Sequence, residues 1–121
     1  MLELHSISKR FGAIVVADAI ELTLSSGEAL GVIGPNGAGK STLFNLITGL
    51  LRPDAGRIVL DGVDITHLSP EARCRTGIGR SFQIPQPFDH LSVFENLAVA
   101  AQFGGGLSEL TPCSTAAGCL I

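Results

Sequence analysis

The residues Gly34-Pro35-Asn36-Gly37-Ala38-Gly39-Lys40-Ser41-Thr42, set between an apolar run and a helix-forming run, constrain the fold of this chain more than any other segment. Their spacing, Gly-x-x-x-x-Gly-Lys-Ser/Thr, calls for a strand, a tight loop and a helix in that order. Glycine at 34, 37 and 39 is expected to let the backbone take φ > 0 and approach an anion with no Cβ in the way. Such a turn aims successive N–H groups inward and forms a nest for phosphate oxygens. Lys40 adds a mobile positive charge, and Ser41 a hydroxyl of the kind that magnesium accepts while keeping several of its waters. Ala29 to Ile33 predicts a buried strand, and Thr42 to Ile47 open a helix whose N-terminal dipole adds to the anion site. A glycine-rich turn that binds nothing is the bland alternative, and the strand–loop–helix context speaks against it.

A length of 121 residues suits one domain. Apolar residues make up 45% and charged residues 16%, yet the longest apolar stretches stop far short of a membrane span of ~18 residues. Met1-Leu2-Glu3-Leu4-His5 lacks a basic start followed by an apolar stretch, so a cytosolic chain is expected. A net charge of −3, with Lys9 and Lys40 the two lysines, argues against nucleic acid as a partner. Arg73, Arg75 and Arg80 read as a solvated face. Cys74, Cys113 and Cys119 have no metal-ligand spacing and are expected to remain thiols.

Leu2–Ile7 and Ala19–Leu24 read as strands, the second alternating Ile20, Leu22 and Leu24 with polar residues. The helix after the loop is expected to run to about Thr48 and stop at Gly49, with Pro53 beyond. Arg57–Leu60 predicts a short strand closed by an Asp61-Gly62 turn. Ser69-Pro70-Glu71 starts a helix that Gly77 ends, and Ile78 to Phe82 predicts a strand. Ser92-Val93-Phe94-Glu95 is a capping box opening a helix to about Gln102, with Val93, Phe94, Leu97 and Ala101 on one face. Helices alternate with strands after the loop, so the class is α/β.

Gly34–Thr42, with Pro35, Asn36 and Ala38 in the variable places, resembles the Walker A loop of ABC-transporter ATPases. Lys9-Arg10-Phe11-Gly12 resembles the segment carrying that family's adenine-stacking aromatic, at Phe11. Arg80-Ser81-Phe82-Gln83 resembles its Q-loop, and Gly77 to Gln83 is similar to the branched-chain amino acid importer ATPases and their urea or amide relatives. The resemblance implies a P-loop NTPase fold, an ABC-type nucleotide-binding domain with an N-terminal antiparallel β subdomain. It implies ATP as ligand, with Phe11 on adenine and Gly34 to Thr42 on phosphates. It also implies Mg2+ at Ser41 and Gln83, membrane-spanning subunits reached through the Q-loop region, a second nucleotide-binding subunit, and a place at the inner face of the cell membrane.

The resemblance ends near Phe103. Residues 1–121 contain no Leu-Ser-Gly-Gly-Gln signature, no apolar stretch ending in Asp-Glu, and no histidine in the place of the family's switch histidine. The domain is therefore expected to be incomplete over residues 1–103, with 104–121 an atypical tail produced by truncation or a lost reading frame. Its Leu107–Ile121 part looks foreign to the fold, and Thr111–Cys119 within it shows neither helical nor strand periodicity. Two readings remain open: an ATP-binding subunit of an ABC importer, and a non-catalytic remnant with weak nucleotide binding or none. A GTPase reading lacks its Asn-Lys-x-Asp motif.

Overall fold

The computed structural model describes residues 1–82, 84, 86–103 and 119–120. The chain forms two compact units, Met1–Pro70 and Glu71–Ile121. In the first, β1 (Leu2–Phe11) and β2 (Ile14–Leu24) form a long hairpin, α1 spans Lys40–Thr48, and β3 (Ala55–Leu60) and β4 (Val63–Asp64) form a second hairpin. The strands make one antiparallel sheet in the order β2-β1-β3-β4. β1 and β2 run well past the predicted Leu2–Ile7 and Ala19–Leu24.

Bulges explain how this hairpin keeps one face apolar. Leu2 and Leu4 are buried at the two-residue period of a strand, but the next buried position is Ile7. The register against β3 passes from His5↔Arg57 to Ser8↔Ala55, so β1 carries an extra residue there. Ser6, at φ 51, lies within that step, and its N–H and Oγ both donate to Glu21 Oε1 at 2.7 Å. On β2 the pairs Ile7↔Ile20 and Lys9↔Ala17 leave an extra residue in the same way. Ala19, at φ 46, turns its N–H to Ser8 Oγ at 2.9 Å. Each bulge shifts the parity of its strand, and a side chain takes up the backbone donor that the ladder loses.

The sheet's Leu2, Leu4, Ile7, Ala17, Ile58 and Leu60 and the α1 residues Leu43, Leu46 and Ile47 form the buried apolar set, with Ile65 after β4. Gly49 ends α1 in the left-handed region and donates to Leu46 O, as its position predicts. Asp61 and Gly62 have φ 48 and 81, the paired positive φ of a two-residue hairpin turn. Thr66 docks its hydroxyl on β3, accepting from Ile58 N–H at 2.8 Å.

Ala29 to Ile33 departs from expectation. These residues form no strand and lie exposed, with Ile33 98% accessible. A run apolar on both faces becomes a buried strand only when strands and helices flank it, and no described strand pairs with this one.

The second unit holds α2 (Pro70–Arg75, beginning at the boundary residue), β5 (Ile78–Gly79), α3 (Val93–Phe103) and β6 (Cys119–Leu120). β5 is shorter than the predicted Ile78–Phe82 and pairs with β6 in parallel, so the tail supplies a strand where its pattern predicts none. Arg73 is 1% exposed rather than solvated. The turn of α2 places it inward, and a buried guanidinium needs partners; no buried side-chain nitrogen or oxygen among the described residues lacks one. The capping box forms as predicted, with Ser92 N–H and Oγ donating to Glu95 Oε2 at 2.7 and 2.8 Å. The apolar face of α3 is uncovered among the described residues, Val93, Phe94 and Leu97 all being exposed. No described helix is long and apolar enough to cross a membrane.

Candidate functional site

The glycine-rich loop closes on itself in two steps. Ala38 N–H donates to Pro35 O at 3.2 Å, and Gly37 takes φ 84 inside that turn. Gly39 follows at φ 83 and stands at the N-cap of α1, its carbonyl accepting from Leu43 N–H at 2.9 Å. The positive φ expected at 37 and 39 is present, but Gly34 is outside that region. A Cβ at Gly34 would lie 3.4 Å from Ala38 Cβ, an ordinary contact, so neither φ nor space demands glycine there.

Gly39 also fixes where the loop meets the sheet. A Cβ on it would stand 2.7 Å from Val16 O, so only glycine fits without a shift. Val16 is where β2 bulges, because the pairs Lys9↔Ala17 and Arg10↔Val15 set two β2 steps against one β1 step. The bulge brings the backbone of the β1–β2 hairpin against the start of α1. Phe11, paired with Ile14, ends β1 in the same hairpin and is half exposed.

α1 has no side-chain cap and no acidic residue in its first turn. An acid would compete for the first-turn N–H groups and oppose an incoming anion; neither happens here. Lys40 folds back over the loop, donating from Nζ to Gly34 O and, at 2.7 Å, to Pro35 O. Pro35, Asn36 and Ala38 are exposed along the loop, Ser41 is exposed in the first turn of α1, and Thr42 is half-buried. The structure thus gathers residues 34–42 into one loop-and-helix surface beside the hairpin that carries Phe11. Gln83 lies outside the described residues.

The donor set suits a phosphate-borne magnesium ion rather than a protein-caged one. No cluster of His, Cys, Asp or Glu able to hold a metal exists among the described residues. The single exposed hydroxyl of Ser41 fits an ion that takes its remaining ligands from water and phosphate.

Sequence reasoning missed Asp54. Its Oδ1 accepts from Lys9 Nζ at 2.6 Å and its Oδ2 from Arg10 N–H at 2.8 Å. The Lys9 ammonium, then the Arg10 N–H, hold its carboxyl below the ordinary aspartate value. Lys9 Nζ in turn lies 5.6 Å from the centroid of the Phe11 ring, within cation–π range. An aspartate after a proline reads locally as turn chemistry, and nothing in the local pattern points to β1.

Residues 17–117 match the ABC transporter family. The chain is 41% identical over 99 residues to the protein named probable branched-chain amino acid transport ATP-binding protein LivG of Methanocaldococcus jannaschii, an alignment covering 82% of this chain and 38% of that one. It is 40% identical over 107 residues to the lipopolysaccharide export system ATP-binding protein LptB of Escherichia coli, covering 88% of this chain and 44% of the relative. A crystal structure of the ADP conformation of an ATP-binding cassette of an ABC transporter superposes with a TM-score of 0.73 at 40% identity, covering 84% of this chain and 40% of that one. The chain therefore spans well under half the length of these relatives.

Proposed function

The chain belongs to the ABC transporter family, and from that premise we propose that residues 1–121 carry the nucleotide-holding part of an ATP-binding subunit. In this reading the loop N–H groups and Lys40 take the phosphates. Phe11 stacks the adenine, whose flat face makes little hydrogen-bond demand on a ring. Ser41, with Gln83, meets the magnesium ion that screens the phosphate charge. The observation that carries the reading is the uncapped N-terminus of α1 behind left-handed Gly39, with the Lys40 ammonium held across the loop.

Import of branched-chain amino acids is the transport role we assign, supported by the identity to LivG and by Gly77-Ile78-Gly79-Arg80-Ser81-Phe82-Gln83. The similar identity to LptB makes the transported substrate the least constrained part of the proposal. The working subunit would lie in the cytoplasm against the membrane, engage membrane-spanning subunits through the Q-loop region, and pair with a second nucleotide-binding subunit. The second reading, a remnant that holds nucleotide without turnover, is favoured by the exposed Ala29–Ile33 approach to the loop. A phosphate loop anchored on one side only holds its donors less firmly.

Magnesium-dependent ATP binding and phosphate release by the purified chain test both readings, with Lys40→Ala as control. Weak binding lost in Lys40→Ala, with no release above background, is the expected outcome. Turnover abolished by Lys40→Ala would overturn the remnant reading. Binding indifferent to Lys40 would overturn the site.

A further inference from the structure

We propose that Asp54 is a positioning residue for the Phe11 platform, and this rests on the reading that Phe11 stacks a nucleobase. The ladder between β1 and β3 has its last pair at Ser8↔Ala55. From Lys9 to Phe11, β1 therefore runs on with no described strand on its β3 side. Asp54, one residue before β3, takes over there. Its N–H donates to Ser8 O at 2.9 Å, its Oδ2 accepts the Arg10 N–H, and its Oδ1 holds the Lys9 ammonium. One carboxylate thus extends the edge of the sheet along the stretch of β1 that ends in Phe11. The Lys9 side chain is only 14% exposed, so its ammonium is held in place against the ring rather than swept through solvent.

A stacking partner gains from a ring that already stands in its bound orientation, because the cost of ordering it is met before the ligand arrives. Asp54 supplies that order from a loop outside the base and phosphate sites. It therefore acts on base affinity and leaves phosphate affinity alone. Inorganic tripolyphosphate, which has the phosphates and no base, separates the two.

The experiment measures binding of ATP and of tripolyphosphate, each with magnesium, to the full chain and to Asp54→Ala, Phe11→Ala and the double variant. Stacking on an aromatic is worth enough for Phe11→Ala to weaken ATP by about tenfold. Asp54→Ala is expected to lose a large part of that factor. The double variant should be no weaker than Phe11→Ala, and tripolyphosphate binding should be unchanged throughout. If Asp54→Ala unfolds the chain, Lys9→Met breaks the same linkage from its other end and is read by the same comparison. Equal weakening of both ligands, or losses that add in the double variant, would overturn the positioning role. ATP weakened by Phe11→Ala but untouched by Asp54→Ala would sink this inference and leave the proposed function standing. Wild-type binding of ATP no tighter than tripolyphosphate would remove both.

Discussion

Gly56 shows how a single hydrogen atom in place of a side chain can decide a strand register. It lies at φ 90 in β3 opposite the Ser6 bulge, and a Cβ there would sit 2.5 Å from both His5 O and Ser6 O. The colliding atoms are backbone, so no side chain can rotate aside. Gly56→Ala is expected to lower the unfolding free energy by at least about 2 kcal/mol in a denaturant titration. Acid should act through the bonded carboxylates of the same sheet. Glu21 is lowered chiefly by the Ser6 hydroxyl, Asp54 chiefly by the Lys9 ammonium and Asp64 chiefly by the Thr66 hydroxyl. A carboxyl with a lower pKa when folded binds fewer protons in the native state. Its contribution is thus whole above the ordinary carboxylate range and is lost as pH falls through the lowered values. Stability measured against pH should be level near neutrality and decline on the acid side, and Glu21→Gln with Asp54→Asn should flatten that decline.

Among the elements, α3 is the one whose local chemistry stands most by itself. Ser92 and Glu95 cap its first turn. Asn96 ties the preceding loop to it, accepting Phe88 N–H at 2.9 Å and donating to Phe88 O and Leu91 O. With its apolar face exposed, the helix has little packing to offset a lost cap, so Ser92→Ala should destabilise it by about 1 kcal/mol. The readout is helical circular dichroism of the full chain on heating. Ala29–Ile33 lies at the opposite extreme, a segment of strand composition outside every described ladder. Its amides should exchange with solvent within the earliest times of a hydrogen-exchange series, while those of residues 2–4 of β1, paired on both sides, persist.

At the scale of the molecule, the same segment should govern solubility. Leu30, Val32 and Ile33 expose apolar surface in a stretch outside every ladder among the described residues, the kind of surface that recruits other chains. Ile33→Lys is expected to reduce self-association in sedimentation while leaving the unfolding midpoint unchanged, since a side chain 98% exposed removes no packing when replaced. The loop, the caps at Gly49 and Ser92, and the Asp61-Gly62 turn were legible because each rests on conformations of adjacent residues. The bulges were not, because which residue a strand leaves unpaired depends on its neighbours across the sheet. The proposed site divides along the same line. Residues 34–42 are readable as a motif, whereas Asp54 joins Phe11 only after β1 and β3 have paired.

By itself the sequence determined the loop's left-handed glycines at 37 and 39, the start of α1 behind them, and the family to which that arrangement belongs. Its apolar pattern also specified a strand at Ala29–Ile33, yet a strand exists only when a ladder accepts its N–H and C=O groups. Tertiary structure decided that this run stays exposed, that Arg73 turns inward, and that an aspartate from the loop before β3 completes the edge of β1. Backbone preference is written residue by residue, whereas burial and pairing belong to whatever the fold brings alongside.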